Sequence, residues 1–117
     1  MNKILIVSAL EVETNNQLKG CDVLHTGVGK INATYNLTKS LLLDYYSLVI
    51  NYGTAASKTY SGLVDCTKFI QRDMDATPMG LKIGETPFDN EPSMIDFSHI
   101  KNPIGKNLTC YTGDSFV

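Results

Sequence analysis

The stretch Lys3-Ile4-Leu5-Ile6-Val7-Ser8-Ala9-Leu10-Glu11-Val12-Glu13 decides the fold class. Its first half is a run of Ile, Leu and Val bounded by polar residues, the pattern of a strand buried on both faces, as in a parallel sheet. Ser8 followed three residues later by Glu11 reads as a capping box and predicts a helix toward Leu18, stopped by Gly20. Cys21 to Thr26 then reads as a second strand, running into Gly27-Val28-Gly29-Lys30. Beyond it Ala33, Leu37 and Leu41 recur at four-residue spacing and predict a helix over Ile31 to Tyr45. A third apolar strand, Leu48 to Asn51, again ends in a loop of small residues, Gly53-Thr54-Ala55-Ala56-Ser57. Strand alternating with helix argues for an α/β fold built on a three-layer-like mixed, largely parallel sheet.

Downstream the pattern loosens. Gly62 to Gln71 alternates imperfectly and reads as one longer strand entering Arg72-Asp73-Met74-Asp75, and Asn107 to Thr112 as another. All four prolines fall between Pro78 and Pro103, which predicts a long irregular excursion. No second helix is predicted after Tyr46, so half of the cover that a parallel sheet needs is missing.

With 117 residues, one domain spanning 1–117 is expected; 43% hydrophobic and 19% charged residues exclude wholesale disorder. A net charge of -2 with no basic block argues against nucleic acid as a partner. Arg72 is the only arginine, which disfavours a phosphate-rich substrate, because bidentate phosphate clamps are built mainly from arginine. The N-terminal apolar run is too short for a signal segment or a membrane span, so a cytoplasmic protein without a membrane partner is expected. Cys21, Cys66 and Cys110 have no C-x-x-C spacing and read as reduced, buried thiols; no metal and no cofactor are expected.

Several residues invite chemistry, each with a bland rival. Gly27-Val28-Gly29-Lys30 lies where a helix dipole receives an anion, but Asn32 stands where a dinucleotide motif has its third glycine, and a structural turn is favoured. Glu11 and Glu13 follow the first strand, where open α/β sheets place their ligand crevice. Glu11 is already used by the predicted cap, whereas Glu13 is free to position a water as a general base does; a solvated helix surface is its rival. Asp73 and Asp75 would share one strand face as a paired acid site, or mark a solvated turn. His25 and His99 read as ordinary histidines, and Tyr35, Tyr45 and Tyr46 as packing residues.

Four stretches in order resemble the nucleoside phosphorylase and nucleosidase superfamily, above all the nucleosidases that hydrolyse methylthioadenosine and S-adenosylhomocysteine. They are Ile6-Val7-Ser8-Ala9-Leu10-Glu11-Val12-Glu13, Thr26-Gly27-Val28-Gly29-Lys30-Ile31-Asn32-Ala33, Val49-Ile50-Asn51-Tyr52-Gly53-Thr54-Ala55 and Thr112-Gly113-Asp114-Ser115-Phe116-Val117. The resemblance spans Lys3 to Val117 and implies a sheet of the nucleoside phosphorylase type, truncated at its C-terminal side, since family chains continue to a ribose-binding glutamate and a purine-protonating aspartate. Ala56, in the loop that the third stretch enters, departs from a glycine common there in the family.

The resemblance implies a purine nucleoside N-ribosyl hydrolase that uses water. Glu13 resembles the catalytic glutamate that orients that water. Leu10, Gly53 and Thr54 match substrate-binding positions, Phe116 the residue that stacks on the purine, and Val117 the one whose backbone reads its edge. Phosphorylase relatives hold phosphate with arginines near the first strand and before the Gly-Thr loop; neither neighbourhood has one here, which favours hydrolysis. The family implies a homo-oligomer, a dimer first. A nucleoside-binding chain with impaired catalysis and a phosphorylase with unusual phosphate ligands are the alternatives.

Overall fold

A computed structural model describes residues 3–18 and 20–117. The chain divides into two compact units, Met1–Ala56 and Ser57–Val117. The result is α/β, but the strands form two three-stranded sheets, one in each unit, rather than the one sheet that the sequence predicts.

The first unit runs β1 (Ile4–Ser8), α1 (Glu11–Thr14), β2 (Asp22–His25), α2 (Lys30–Leu43) and β3 (Leu48–Asn51). β1 is central and both neighbours run parallel to it, with Ile6 opposite Val23 on one side and Ile50 on the other. Leu5 and Val7, 3% and 7% exposed, are the buried apolar residues of this strand, and Ser8 at its end is fully buried. The apolar run is thus where the sequence places it, and its central position explains its composition.

Both helices depart from expectation. α1 is a single turn, because Asn15 and Asn16 adopt positive φ (47° and 57°) and end it well before Leu18. Asparagine tolerates that left-handed region better than most residues, so the helix stops without a glycine. α2 has nearly its predicted length but buries none of its residues. Polar ties hold its start: Asn36 Nδ2 donates to the Thr26 carbonyl at 2.9 Å and Asn32 Nδ2 to the Val28 carbonyl at 2.8 Å. Gly27 has φ 84°, and a Cβ there would lie 3.3 Å from Asn32 Nδ2. At the other end Lys3 pairs with Asp44 just past the helix, lies 3.8 Å from Asp22 at the start of β2, and sits over the Tyr46 ring. Tyr35 and Tyr45 are exposed rather than packed.

In the second unit β4 (Cys66–Gln71) is central, antiparallel to β5 (Met94–Asp96) and parallel to β6 (Leu108–Thr112). β4 starts later than the predicted Gly62, and β5 lies inside the segment read as irregular; Phe69 packs edge-on against Phe97 beside it, ring centroids 6.0 Å apart. Asp65 pins the entry to β6, its Oδ1 accepting from the Lys106 and Asn107 amides at 2.6 and 3.1 Å. The ladder between β4 and β6 shifts register between Cys66 and Lys68, leaving Thr67 as a bulge. Cys66 and Cys110 are half-buried and Cys21 exposed, so the thiols are less covered than expected, though all three are free.

Candidate functional site

Parallel pairing brings the carboxyl ends of β1, β2 and β3 to one edge of the first sheet, with Ser8 opposite His25 and Val7 opposite Asn51. Loops leaving such an edge are where open α/β sheets receive ligands. Here the single helical turn α1 that follows β1 supplies Glu13, and the loop after β3 supplies Gly53 and Thr54.

The Glu13 carboxylate joins the two loops. Its Oε1 accepts from the Leu10 amide at 3.1 Å and from the Ser8 hydroxyl at 3.4 Å. Its Oε2 accepts from the Thr54 amide at 3.1 Å and the Thr54 hydroxyl at 3.2 Å. Gly53 allows the close approach, since a Cβ there would lie 3.2 Å from Oε2. Burial pushes the Glu13 carboxyl up, but the hydrogen bonds from Leu10, Thr54 and Ser8 outweigh it and hold it below its ordinary value. The group is therefore an ionised carboxylate with a fixed orientation.

This geometry corrects the cap. Leu10, not Ser8, precedes the first helical residue, and Glu13, not Glu11, reaches back to the N-cap amide. Leucine offers no acceptor, so only the reciprocal half of a capping box is present. Glu13 thus has the local duty that the sequence assigns to Glu11, and Ser8 serves it as a donor.

His25, an ordinary histidine by its sequence context, completes this edge. The Thr14 hydroxyl donates its single hydrogen to the Glu11 carbonyl at 3.0 Å, so the contact of 3.1 Å between Thr14 Oγ1 and His25 Nε2 requires Nε2 to carry the proton. Strand β2 thereby holds the turn that carries Glu13.

Leu10, Glu13, Gly53 and Thr54 are brought together within the first unit. Phe116 and Val117 belong to the second and are 97% and 93% exposed. There Arg72, which in the sequence bears only on phosphate, fixes the segment before them: Nη1 donates to Ser115 Oγ at 3.0 Å and Nη2 to the Ser115 carbonyl. Asp73 Oδ2 accepts from the Asp114 amide at 3.0 Å, while Asp75 accepts from the Thr77 amide and hydroxyl at 2.9 and 2.6 Å. Asp73 and Asp75 thus lie past the end of β4 rather than on a strand face, and accept from different partners, Asp114 beyond β6 and Thr77. A cleft of about 480 Å³ lined by Ser98, Ile100, Lys101, Asn102, Pro103 and Asn107 contains none of the predicted residues.

Among the described residues no group of three or more His, Cys, Asp or Glu could hold a metal ion, and no helix is long and apolar enough to cross a membrane. No model of a known protein family matches the chain.

Proposed function

We propose that the chain is a purine nucleoside N-ribosyl hydrolase of the nucleosidase kind its motifs resemble, with a nucleoside phosphorylase type of fold, and that Glu13 orients the attacking water. The observation that carries the reading is the Glu13 carboxylate, held by four donors at the carboxyl ends of parallel strands β1 and β3.

The N-glycosidic bond breaks through an oxocarbenium-like sugar, which needs negative charge nearby and an oriented water more than a strong base. A carboxylate held below its ordinary value meets that need, because it stays ionised, attracts the developing positive charge and takes a proton only as the water bonds to carbon. Thr54 Oγ1 and Ser8 Oγ are the donors that rotate away to admit the water, because the two backbone amides cannot. Leu10 and the Gly53–Thr54 backbone form the adjoining wall within the same unit.

A second reading, nucleoside binding without cleavage, is favoured by the same carboxylate: each oxygen already accepts two hydrogen bonds, which suits a structural tie. Methylthioadenosine separates the readings. Added to the isotope-labelled chain, it should shift the Leu10, Gly53 and Thr54 amide resonances saturably; absence of such shifts removes both readings. Adenine release that is independent of phosphate selects hydrolysis, strict phosphate dependence with ribose 1-phosphate as product selects phosphorolysis, and binding without release selects the second reading.

The proposal includes cytoplasmic location and a homo-oligomer, a dimer first. Ile31, Leu42 and Leu43 on α2, each more than three-quarters exposed, supply apolar surface for self-association. Light scattering should give a mass above that of one chain.

A further inference from the structure

We propose that Cys66 and Cys110 form a redox-sensitive dithiol that closes to an intramolecular disulfide across β4 and β6. The placement follows from the strand register. Cys66 is opposite Leu108 and Phe69 opposite Cys110, and residues opposite one another in a ladder project from the same face. Cys66 and Phe69 are three apart, an odd separation that in a regular strand would put them on opposite faces. The extra residue at Thr67 restores the phase, so Cys66, Leu108, Phe69 and Cys110 share one face. Leu108, Cys110 and Thr112 are half-covered while Thr109 and Tyr111 are exposed, which marks this as the more sheltered face of β6.

Burial pushes the Cys66 thiol up, and the charge and hydrogen bond of Cys110 beside it add to the effect. At neutral pH Cys66 therefore stays a thiol, which keeps closure slow in the absence of an oxidant and makes it faster as the pH rises. Hydrogen peroxide supplies the missing oxidant. One thiolate attacks peroxide, giving a sulfenic acid and releasing hydroxide; the second thiol's sulfur then displaces the sulfenic oxygen as water. In sum two thiols and one peroxide give one disulfide and two waters, the sulfurs losing two electrons and the peroxide gaining them. The closed bond would tie together the strands that lead into Arg72 and into Gly113-Asp114-Ser115.

The sequence provides an internal control. Cys21 and Cys66 are separated along the chain by almost the same number of residues as Cys66 and Cys110. Loop closure in an unfolded chain therefore favours neither pair. The 117-residue chain should be oxidised with limiting peroxide, once in native buffer and once in guanidinium chloride, and its cross-links mapped by mass spectrometry after alkylation. In native buffer the Cys66–Cys110 link should exceed Cys21–Cys66 by about tenfold or more, as expected where geometry selects the pair. In denaturant the two should be nearly equal. Cys21→Ser should retain the native cross-link at wild-type yield, and oxidation should accelerate as the pH is raised from neutral into the mildly alkaline range. A Cys66–Cys110 to Cys21–Cys66 ratio that is the same in both conditions, or separate sulfinic acids at Cys66 and Cys110 without a link, would overturn the proposal.

Discussion

Each unit fixes the loop at the end of a strand with one charged side chain, and the two do so with opposite chemistry. In the first, the Glu13 carboxylate gathers two amides and two hydroxyls from the loops after β1 and β3. In the second, the Arg72 guanidinium gathers the hydroxyl and carbonyl of Ser115 beyond β6. An acceptor ringed partly by hydroxyls can exchange them, because a hydroxyl turns at little cost. The guanidinium fork is planar, and its partners are the carbonyl and hydroxyl of one residue. The first arrangement is compatible with admitting a water; the second is a clamp.

The largest effect that could break this contrast is expected from Glu13→Gln. Turnover of methylthioadenosine should fall by a factor on the order of 100, as for a positioned acid–base group. Stability should fall as well, contrary to a purely catalytic role. The amide nitrogen of glutamine would face either the Thr54 amide and hydroxyl or the Leu10 amide, leaving a donor unmatched at about 1–3 kcal/mol. Chemical denaturation reads the second effect; an unchanged midpoint would remove Glu13 from the tie between the loops.

Next comes Arg72→Lys, which keeps the charge and loses the fork. One ammonium cannot reproduce two separate nitrogens on Ser115, and because the contact is exposed the loss should be about 1 kcal/mol or less. Faster hydrogen exchange confined to the residues around Asp114 and Ser115 should report it, with β4 and β6 unaffected; exchange that rises throughout the sheet would contradict a local clamp.

A smaller effect follows from pH. The Glu13 carboxyl lies below its ordinary value of 4.5 in the folded chain, so its contribution to stability is full above that value and is lost as the pH falls through the folded one. Carbon-detected NMR titration of Glu13 should place its midpoint under 4.5. A midpoint above it would mean that burial outweighs the four hydrogen bonds.

The smallest effects are expected at the glycines that face each charged group. Gly53→Ala would bring a Cβ within 3.2 Å of Glu13 Oε2, forcing the carboxylate to move by a few tenths of an ångström. Gly113→Ala would press on the far end of the flexible Arg72 side chain, at 2.9 Å from Cζ. Nucleoside affinity, measured by the same amide titration, should drop by about twofold or less for Gly53→Ala and remain unchanged for Gly113→Ala, reflecting the few tenths of a kcal/mol that such displacement costs.

How much of this was legible varies with the range of the forces involved. β1, α2 and β3 follow from apolar runs and four-residue spacing, which are local. α1 ends early because Asn15 and Asn16 take a conformation their neighbours do not announce. β5, three residues long inside a proline-rich segment, exists through pairing with β4, and no pattern within Met94–Asp96 requires it. The link between Glu13 and Thr54 crosses forty-one positions and that between Arg72 and Ser115 forty-three, so no spacing rule reaches either. Resemblance places Glu13 and Thr54 in one site. It assigns Arg72 nothing, because the scarcity of arginine bears on phosphate and is silent about a clamp.

The absence of any buried residue on α2 bears on the order in which the first unit comes apart. A helix anchored by asparagine amides and one lysine, with Ala33 and Leu37 only half-covered, can open while exposing little new apolar surface, so denaturant should act on it weakly and opening should cost little more than its own backbone bonds. Proteases should therefore cut between Lys30 and Leu43 while the strand pairs around Leu5 and Val7 are still closed, and the first fragments to appear in a digest should end within that helix.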